Sequence, residues 1–468
     1  MSAPTRITFQ PWMSMLIVAV VAAVVRLPGV YGPAFWEDEV ASAQILVQPT
    51  FAAMLRRVTR TESTPPLWYV VAWVVHRAGV PLQSERLLSV ACGALLAAAV
   101  VSLAHRFVTL PLATVAGLMT ALGSEFVVHG AELRSYELFA LLSAALALSV
   151  FGVLDKATRF WDVSLAATVA AGCLTHYFFA FSVAAVLGWL WLDKGARQIR
   201  RRGTAAVLAG CAVAGLWVPL MLTQYHHGRF RWIGPFRWRQ VAAVPLRLFT
   251  GAYSYVPIGP ILSVSAVVAI TFGALLVARR SAVGRLVVIL AGFPIAAAAG
   301  VWAAGVPIFD LRNLIGVGPY VALLTVVALQ SISGRLRTVA ASSVVLAISV
   351  SLATSQVERI PAYNSMARSL VQSGWDVSKP IVVHGDPYRY RLPFEWYLPR
   401  RPVLDLSRAL RGACAEVFVI SPAGRVTRER LRAPLSSDPG LRHATLLVDP
   451  AHRPRCVGVR PRSPALDA

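Results

Sequence analysis

The chain alternates between long apolar stretches and short, mostly basic connecting segments. The first apolar run extends from Trp12 to Val25, after a short N-terminus that carries Arg6. No small-x-small cleavage site precedes Arg26, so we interpret this run as a retained first helix that enters from the cytoplasm, not as a signal peptide. Further stretches follow at Leu87–Ala104, Pro111–Val128, Glu137–Leu154, Trp161–Leu174, Tyr177–Leu192, Ala205–Leu222, Pro257–Val277, Leu286–Ala304, Leu314–Leu329 and Val339–Ala353. Backbone groups cannot stay unpaired in lipid, so these stretches are predicted to be membrane helices.

Basic connectors set the predicted topology. Lys194–Arg202, Arg279–Arg285 and Arg335–Arg337 are short and rich in arginine, which places them in the cytoplasm. Pro65–Val80 looks like another span, but counting it as one would move every later basic connector to the opposite side of the membrane. We therefore predict that it forms a helix lying in the outer interface. The result is about eleven spans, with the N-terminus inside and the C-terminus outside. A twelve-span arrangement is the alternative.

The composition changes after the last apolar stretch. Residues 356–468 are rich in Arg, Pro and Asp, and they contain the β-like runs Ile381–His384, Val417–Ile420, Thr445–Val448 and Val457–Val459. The predicted fold is therefore an α-helical polytopic membrane protein with a small C-terminal extracytoplasmic α/β domain. Cys414 and Cys456 lie in this domain. They either form a disulfide with each other or are two unrelated buried thiols.

Residues 1–355 form the predicted transmembrane domain, with external loops at 31–85 and 224–256. Composition supports this division, because 56% of all residues are apolar and only 14% are charged. A soluble domain has about 25% charged residues, and a disordered chain has fewer apolar ones. The net charge of +23 suits basic membrane connectors better than a nucleic-acid surface in a chain this apolar. The five cysteines show no CxxC spacing, which argues against a metal cluster.

Two acidic segments follow membrane helices on the predicted outer side. Trp36-Glu37-Asp38-Glu39 comes directly after the first span, where carboxylates need a water-filled cavity or a substrate. A solvated helix start is the alternative interpretation. The second segment contains His129, Glu132, Arg134, Tyr136 and Glu137. Glu132 and Tyr136 would share a helical face, whereas Arg134 points elsewhere unless the helix begins at Ser135.

Three further groups of polar residues are predicted to be external. The segment 224–255 contains Arg229 and Arg231 among aromatic residues. Arginines on the outer side depart from the positive-inside rule, so they need another explanation. They suit either the binding of a lipid-linked phosphate or a general attraction to anionic headgroups. Arg312 follows Asp310, either as an interfacial ion pair or as a phosphate-binding group. His176 lies between two apolar runs, where a structural histidine is the commoner case.

The order of these motifs resembles that of GT-C superfamily membrane glycosyltransferases, in particular protein O-mannosyltransferase-like and lipid A aminoarabinose transferase-like enzymes. The resemblance rests on Trp36–Glu39, Thr64-Pro-Pro-Leu-Trp-Tyr69, Glu132-Leu-Arg134-Ser-Tyr136 and Arg312 before Pro319. It extends from Met1 to about Ala353. Relatives often have His where this chain has Thr64, and Tyr where it has Asn313.

The resemblance implies transfer of a mannose- or arabinose-like sugar from a polyprenyl-phosphate donor at the outer face of the plasma membrane. Asp38 and Glu39 match the catalytic acidic pair, with Asp38 as the base. The expected substrate-binding residues are Glu132, Arg134, Tyr136, His176, Arg229, Arg231 and Arg312. The acceptor is a glycan, lipid or protein. The resemblance implies no certain cofactor, and it is compatible with an acidic pair that binds a divalent cation and with one that does not.

Two other classes of protein fit the sequence less well. A transporter or lipid flippase predicts repeats with broken helices and ionisable groups near mid-membrane, whereas the ionisable residues here lie at one predicted membrane edge. A scaffold that displays an exported domain would leave the acidic first loop unexplained. Membrane lipid is the expected surrounding, and nucleic acid is not an expected partner.

Overall fold

The computed structural model describes residues 10–226, 233–251 and 260–354, together with short segments between 381 and 448 that include five strands. The chain divides into two compact units. The first contains Met1–Tyr31 and Ile45–Val357, and the second contains Gly32–Gln44 and Glu358–Ala468.

The described α-helices, in chain order, are α1 Pro11–Tyr31, α2 Glu37–Leu46, α3 Phe51–Thr61, α4 Leu67–Arg77, α5 Leu87–His105, α6 Leu110–Leu122, α7 Ser124–His129, α8 Tyr136–Lys156, α9 Arg159–Thr175, α10 Phe179–Leu192, α11 Arg200–Gly215, α12 Val218–His226, α13 Trp238–Thr250, α14 Pro260–Arg280, α15 Ala282–Ala303, α16 Gly318–Gln330 and α17 Gly334–Thr354. Short 3₁₀ segments lie at Leu82–Arg86, Lys194–Ile199 and Arg312–Val317.

One continuous apolar cluster holds most helices of the first unit together. α1, α5 and α6 pack against one another, α8 packs between α5 and α9, and α16 packs on α6 and α14. Gly117 on α6 permits the close approach of α5, because a Cβ there would lie 2.5 Å from Val101. Small residues at such crossings are typical of membrane helices, whose association depends on close packing.

Within the described residues, the apolar stretches that the sequence predicts to be spans are mostly helical, but Pro111–Val128 breaks at Gly123 and Ala205–Leu222 breaks after Gly215. Among the described residues, six helices are long and apolar enough to cross a membrane, and the bent pair of α10 and α11, with 100° between its halves, could make a seventh. The six are Pro11–Tyr31, Leu82–His105, Tyr136–Lys156, Ala282–Ala303, Arg312–Gln330 and Gly334–Ala353. The protein is thus a multi-pass helical membrane protein, while about eleven spans stays a prediction.

The segment predicted to lie in the outer interface forms the short helix α4. Its 11 residues start after Pro66. A helix of this length spans about 16 Å, roughly half of the hydrocarbon core. It is therefore too short to cross the bilayer alone, which agrees with an interfacial helix.

The second unit contains a five-stranded sheet of order β2-β1-β5-β3-β4. The strands are β1 Ile381–His384, β2 Val403–Asp405, β3 Glu416–Ile420, β4 Val426–Arg430 and β5 Thr445–Val448. β3 and β4 pair antiparallel, and the other neighbours pair parallel. Three of the predicted β-like runs coincide with β1, β3 and β5. The fourth run, Cys414 and Cys456 lie outside the described residues, and an extracytoplasmic α/β domain stays a prediction.

Candidate active site

The turn between α7 and α8 carries a cluster of charged and aromatic side chains. α7 ends at His129 and α8 begins at Tyr136, so Glu132 and Arg134 lie on the turn itself. All four side chains are buried. The hydroxyl of Ser89 on α5 donates a 2.6 Å hydrogen bond to the backbone carbonyl of Glu132, which fastens the turn to α5. Buried charges are unfavourable unless they are paired, so each of these charges requires a partner.

The prediction that Glu132 and Tyr136 share a helical face is wrong. Ser135 is the N-cap of α8, so Glu132 precedes the helix and only Tyr136 belongs to it. The ring of Tyr136 instead lies against the ring of His129, with 4.6 Å between their centroids. Because α8 begins only after Ser135, Arg134 precedes the helix, which is the condition under which it can join this cluster.

His129 lies between two buried carboxylates. Its Nδ1 is 2.9 Å from Oε2 of Glu132, and its Nε2 is 3.4 Å from Oε2 of Glu125. Burial alone would lower the pKa of His129, but the two carboxylates outweigh it and raise this pKa from 6.5 to about 10. The side chain is therefore an imidazolium at neutral pH, and it fixes the orientation of Glu132.

Arg134 is held by the segment that leads into α4. Its Nη1 donates to Oε2 of Glu62 at 3.1 Å and to the hydroxyl of Tyr69 at 3.2 Å. The Thr64 hydroxyl lies 3.2 Å from the same Tyr69 oxygen. Burial raises the pKa of Tyr69 well above its usual value, so the phenol stays a neutral donor and acceptor. The arginine thereby joins two motifs that are far apart in sequence.

His176 occupies the junction between α9 and α10. Its ring stacks on Phe139 at 4.5 Å with 9° between the planes, and it makes a side-chain hydrogen bond with Asn313. Burial, reinforced by the positive charges of Arg134 and Arg312, lowers the pKa of His176 to about 3. His176 is therefore a neutral imidazole, in contrast to His129.

Arg312 reaches the cluster from the 3₁₀ segment before α16. Its Nε lies 3.4 Å from Oδ1 of Asp310, so the predicted ion pair is present. Its guanidinium carbon lies 5.8 Å from the centre of the Tyr136 ring, and that of Arg134 lies 5.9 Å from the same ring. Two guanidinium groups thus converge on one tyrosine, an arrangement suited to an anionic ligand with several oxygens.

Asp38 and Glu39 belong to the second unit. With Glu37 they form the first turn of α2, where negative charge favours the positive helix end. Glu39 is fully buried, and the Ser42 hydroxyl donates to the backbone carbonyl of Asp38 at 3.1 Å. Their proximity to the arginines of the first unit stays a prediction. The predicted phosphate-binding residues Arg229 and Arg231 lie outside the described residues.

Glu62 and Glu125 are members of the cluster that the sequence patterns missed. Glu62 stands two positions before Thr64, so its nearness to the Thr-Pro-Pro motif was the available signal. Glu125 stands four positions before His129 on α7, a spacing that brings side chains together on a helix. Within the described residues, no group of three or more His, Cys, Asp and Glu residues is arranged to hold a metal ion.

Part of the chain matches a known protein family by sequence. The family model described as dolichyl-phosphate-mannose-protein mannosyltransferase matches residues 63–221. This stretch contains both the Thr64–Tyr69 motif and the turn that carries Arg134. A sequence search of curated proteins gives no match.

Solved structures match over most of the chain. ArnT from Cupriavidus metallidurans in its apo state has a TM-score of 0.54 at 15% identity, and the match covers 83% of this chain and 84% of ArnT. The chain therefore shares the fold of ArnT. The same ArnT bound to undecaprenyl phosphate gives a TM-score of 0.54 at 14% identity, covering 84% and 85% of the two chains.

Another solved structure matches slightly more of this chain, but the match covers a smaller share of that protein. The archaeal oligosaccharyltransferase AglB from Archaeoglobus fulgidus, in complex with an inhibitory peptide and a dolichol-phosphate, has a TM-score of 0.51 at 11% identity. The match covers 86% of this chain and 65% of AglB. In fold, the chain is thus similar to the membrane glycosyltransferases that the sequence motifs resemble.

Proposed function

We propose that the protein is a membrane glycosyltransferase that moves a sugar from a polyprenyl-phosphate donor to an acceptor hydroxyl. The observation that carries this proposal is the hydrogen bond from Arg134 to Tyr69, at 3.2 Å. It joins two motifs that both lie inside the residues matched by the mannosyltransferase family model. The undecaprenyl phosphate bound to ArnT and the dolichol-phosphate bound to AglB support a polyprenyl-phosphate donor.

The proposed reaction is a single displacement. Asp38 removes the proton from the acceptor hydroxyl, whose oxygen attacks the anomeric carbon while the bond to the lipid phosphate breaks. Attack from the opposite face inverts the anomeric centre, and the phosphate leaves with the bonding electrons. One base supplies about 10²–10⁴-fold, so orientation and charge stabilisation supply the rest. Glu39 accompanies Asp38 as the second member of the catalytic acidic pair.

The cations of the first unit suit the departing phosphate. Arg134 and Arg312 converge on Tyr136, and guanidinium groups bind phosphate oxygens through paired hydrogen bonds. Such preorganised charge stabilises a leaving group without reorganisation at the moment of reaction. We assign the donor phosphate to these two arginines, with Arg229 and Arg231 as further candidates.

The remaining binding residues are assigned to the sugar and to the shape of the pocket. Glu132 is oriented by His129 and can accept hydrogen bonds from sugar hydroxyls, while Tyr136 and His176 offer ring faces and neutral donors. We propose a mannose- or arabinose-like sugar and a glycan, lipid or protein acceptor. The reaction takes place on the outer face of the plasma membrane, with the N-terminus cytoplasmic and the C-terminal domain extracytoplasmic.

Donor cleavage by the reconstituted protein tests this proposal. The purified full chain is placed in liposomes that contain undecaprenyl-phosphate mannose or arabinose, with cell-envelope glycans as acceptors. We expect release of undecaprenyl phosphate together with a glycosylated acceptor. The matched control is the phosphonate analogue of the donor, in which carbon replaces the glycosidic oxygen and no cleavage can occur. Movement of intact donor between leaflets without cleavage would instead support a flippase and overturn the proposal.

A further inference from the structure

A fully buried arginine, Arg26, lies next to the candidate active site, in the C-terminal half of α1. The side chains of Arg26 and Glu137 both have 0% exposure, and Nη2 of Arg26 lies 3.5 Å from Oε1 of Glu137. Glu137 directly follows Tyr136 in the first turn of α8. A charge in the apolar part of a membrane protein is unfavourable and usually has a function. Neither residue contributes to the reaction proposed above.

Arg26 also binds the end of a second helix. Its Nη1 donates to the carbonyl of Ala121 at 2.9 Å, and its Nη2 donates to the carbonyl of Thr120 at 3.2 Å. Both carbonyls lie in the last turn of α6, where the helix itself supplies no donor. The guanidinium therefore caps α6 and stabilises the break at Gly123, after which α7 begins. One side chain thus connects α1, α6 and α8.

Two glycines make room for this guanidinium. A Cβ at Gly93 on α5 would lie 2.6 Å from Nε of Arg26, and a Cβ at Gly130 would lie 2.1 Å from the same atom. Gly130 is the first residue of the turn that carries Glu132 and Arg134. The guanidinium therefore packs directly against the backbone of that turn as well as against α5.

We propose that Arg26 and Glu137 are positioning residues that hold the turn at residues 129–136 in the conformation required for sugar transfer. The pair fixes both ends of this segment, through the α6 cap before α7 and through Glu137 after Tyr136. Stability alone does not call for it, because apolar residues of similar volume usually replace a buried ion pair without loss. The assignment of a catalytic role to this turn rests on the proposed function.

Variants of the pair separate positioning from stability. Glu137→Gln removes the charge at nearly constant volume, and the double variant Arg26→Leu with Glu137→Leu replaces both charges by apolar groups. The control is Asp193→Asn, which breaks the Arg285–Asp193 ion pair at the opposite end of the 14-residue helix α10 from the His176 junction. All variants are purified as full chains and compared at equal amounts of folded protein by size-exclusion chromatography.

Two measurements are made on each folded variant. The first is hydrogen–deuterium exchange of the peptide containing residues 129–136, and the second is kcat and KM with a polyprenyl-phosphate sugar. We expect Glu137→Gln to raise exchange in this peptide and to lower kcat at least about tenfold, with KM for the donor changed less than about threefold, because small misplacements of reacting groups cost rate. The double variant should have a melting temperature close to that of wild type, but its kcat should stay as low as that of Glu137→Gln. Asp193→Asn should change neither.

Two results would overturn the inference. One is wild-type exchange in the 129–136 peptide of folded Glu137→Gln. The other is a double variant that recovers kcat along with its melting temperature, since the pair would then serve stability alone. If Glu137→Gln does not fold, Arg26→Lys is used, because it keeps the charge but lacks the fork that reaches two carbonyls. A wild-type protein that cleaves no donor refutes the proposed function, while the exchange result still decides whether the pair holds the turn.

Discussion

The guanidinium of Arg134 lies 3.1 Å from the carboxylate of Glu62, although the two residues are 72 positions apart in the chain. Both side chains are buried. The pair connects the turn before α8 with the loop before α4, so the orientation of a proposed phosphate-binding arginine depends on a residue outside every recognised motif.

Loss of Glu62 should strongly destabilise the protein. Glu62→Leu leaves the buried charge of Arg134 without its carboxylate, and breaking a buried ion pair in this way costs about 3–5 kcal/mol. The control is Asp155→Leu, which breaks the exposed Arg106–Asp155 pair and should cost no more than about 1 kcal/mol. Melting temperatures in detergent compare the two. Equal losses in both variants would show that the Arg134–Glu62 contact does not form.

His129 should stabilise the protein most below neutral pH. Its pKa is raised to about 10 in the folded protein, so the protonated ring binds Glu125 and Glu132, and this stability is complete below the unfolded value near 6.5. It is lost as the pH rises from 6.5 towards 10. The difference in melting temperature between wild type and His129→Gln should therefore shrink over that interval. A difference that stays constant from pH 6 to pH 10 would contradict the buried imidazolium.

His176 should show the opposite dependence on pH. Its pKa is lowered to about 3, so the folded protein keeps the ring neutral while the unfolded chain takes up a proton below about 6.5. The wild type should lose up to about 1.4 kcal/mol per pH unit as the pH falls below 6.5, relative to His176→Asn, which cannot be protonated. Melting curves between pH 4.5 and 7.5 measure this difference. No change in the difference would mean that His176 is accessible to protons.

Gly130 should not tolerate a side chain. Gly130→Ala places a methyl group 2.1 Å from Nε of Arg26 and 2.6 Å from the carbonyl of Phe126, so the turn or the guanidinium must move. We expect a lower melting temperature and faster hydrogen exchange at residues 129–136. Gly188→Ala on α10 is the control, because nothing lies within 4 Å of its new methyl group. Equal behaviour of the two variants would contradict the packing of Arg26 against this turn.

Much of the helical architecture could be predicted from hydropathy, because the apolar stretches between Trp12 and Ala353 are mostly helical where the structure describes them. The motif residues Arg134, Tyr136 and Arg312 also come together as the sequence suggested. The first residue of α8 could not be predicted. The spacing of Glu132, Arg134 and Tyr136 is compatible with a helix that begins before these residues as well as with one that begins at Tyr136.

The partners of the buried charges were beyond the sequence patterns. Arg26 was visible only as the end of the first apolar run, and Glu137 as a member of the second acidic segment at the start of another run. Their contact depends on how α1, α6 and α8 pack, which local spacing does not encode. Glu62 was not recognised for the same reason, since four α-helices, α4 to α7, separate it from its partner Arg134 in the chain.

Turnover of Asp38→Asn, measured beside donor binding, tests the central claim most directly. The purified variant and the Asp155→Asn control are supplied with a polyprenyl-phosphate sugar and its acceptor, and both transfer rate and donor affinity are determined. If Asp38 is the base, the variant should bind the donor within about threefold of wild type but transfer about 10²–10⁴-fold more slowly, while the control keeps its full rate. Transfer by Asp38→Asn at a rate close to that of wild type would contradict the account.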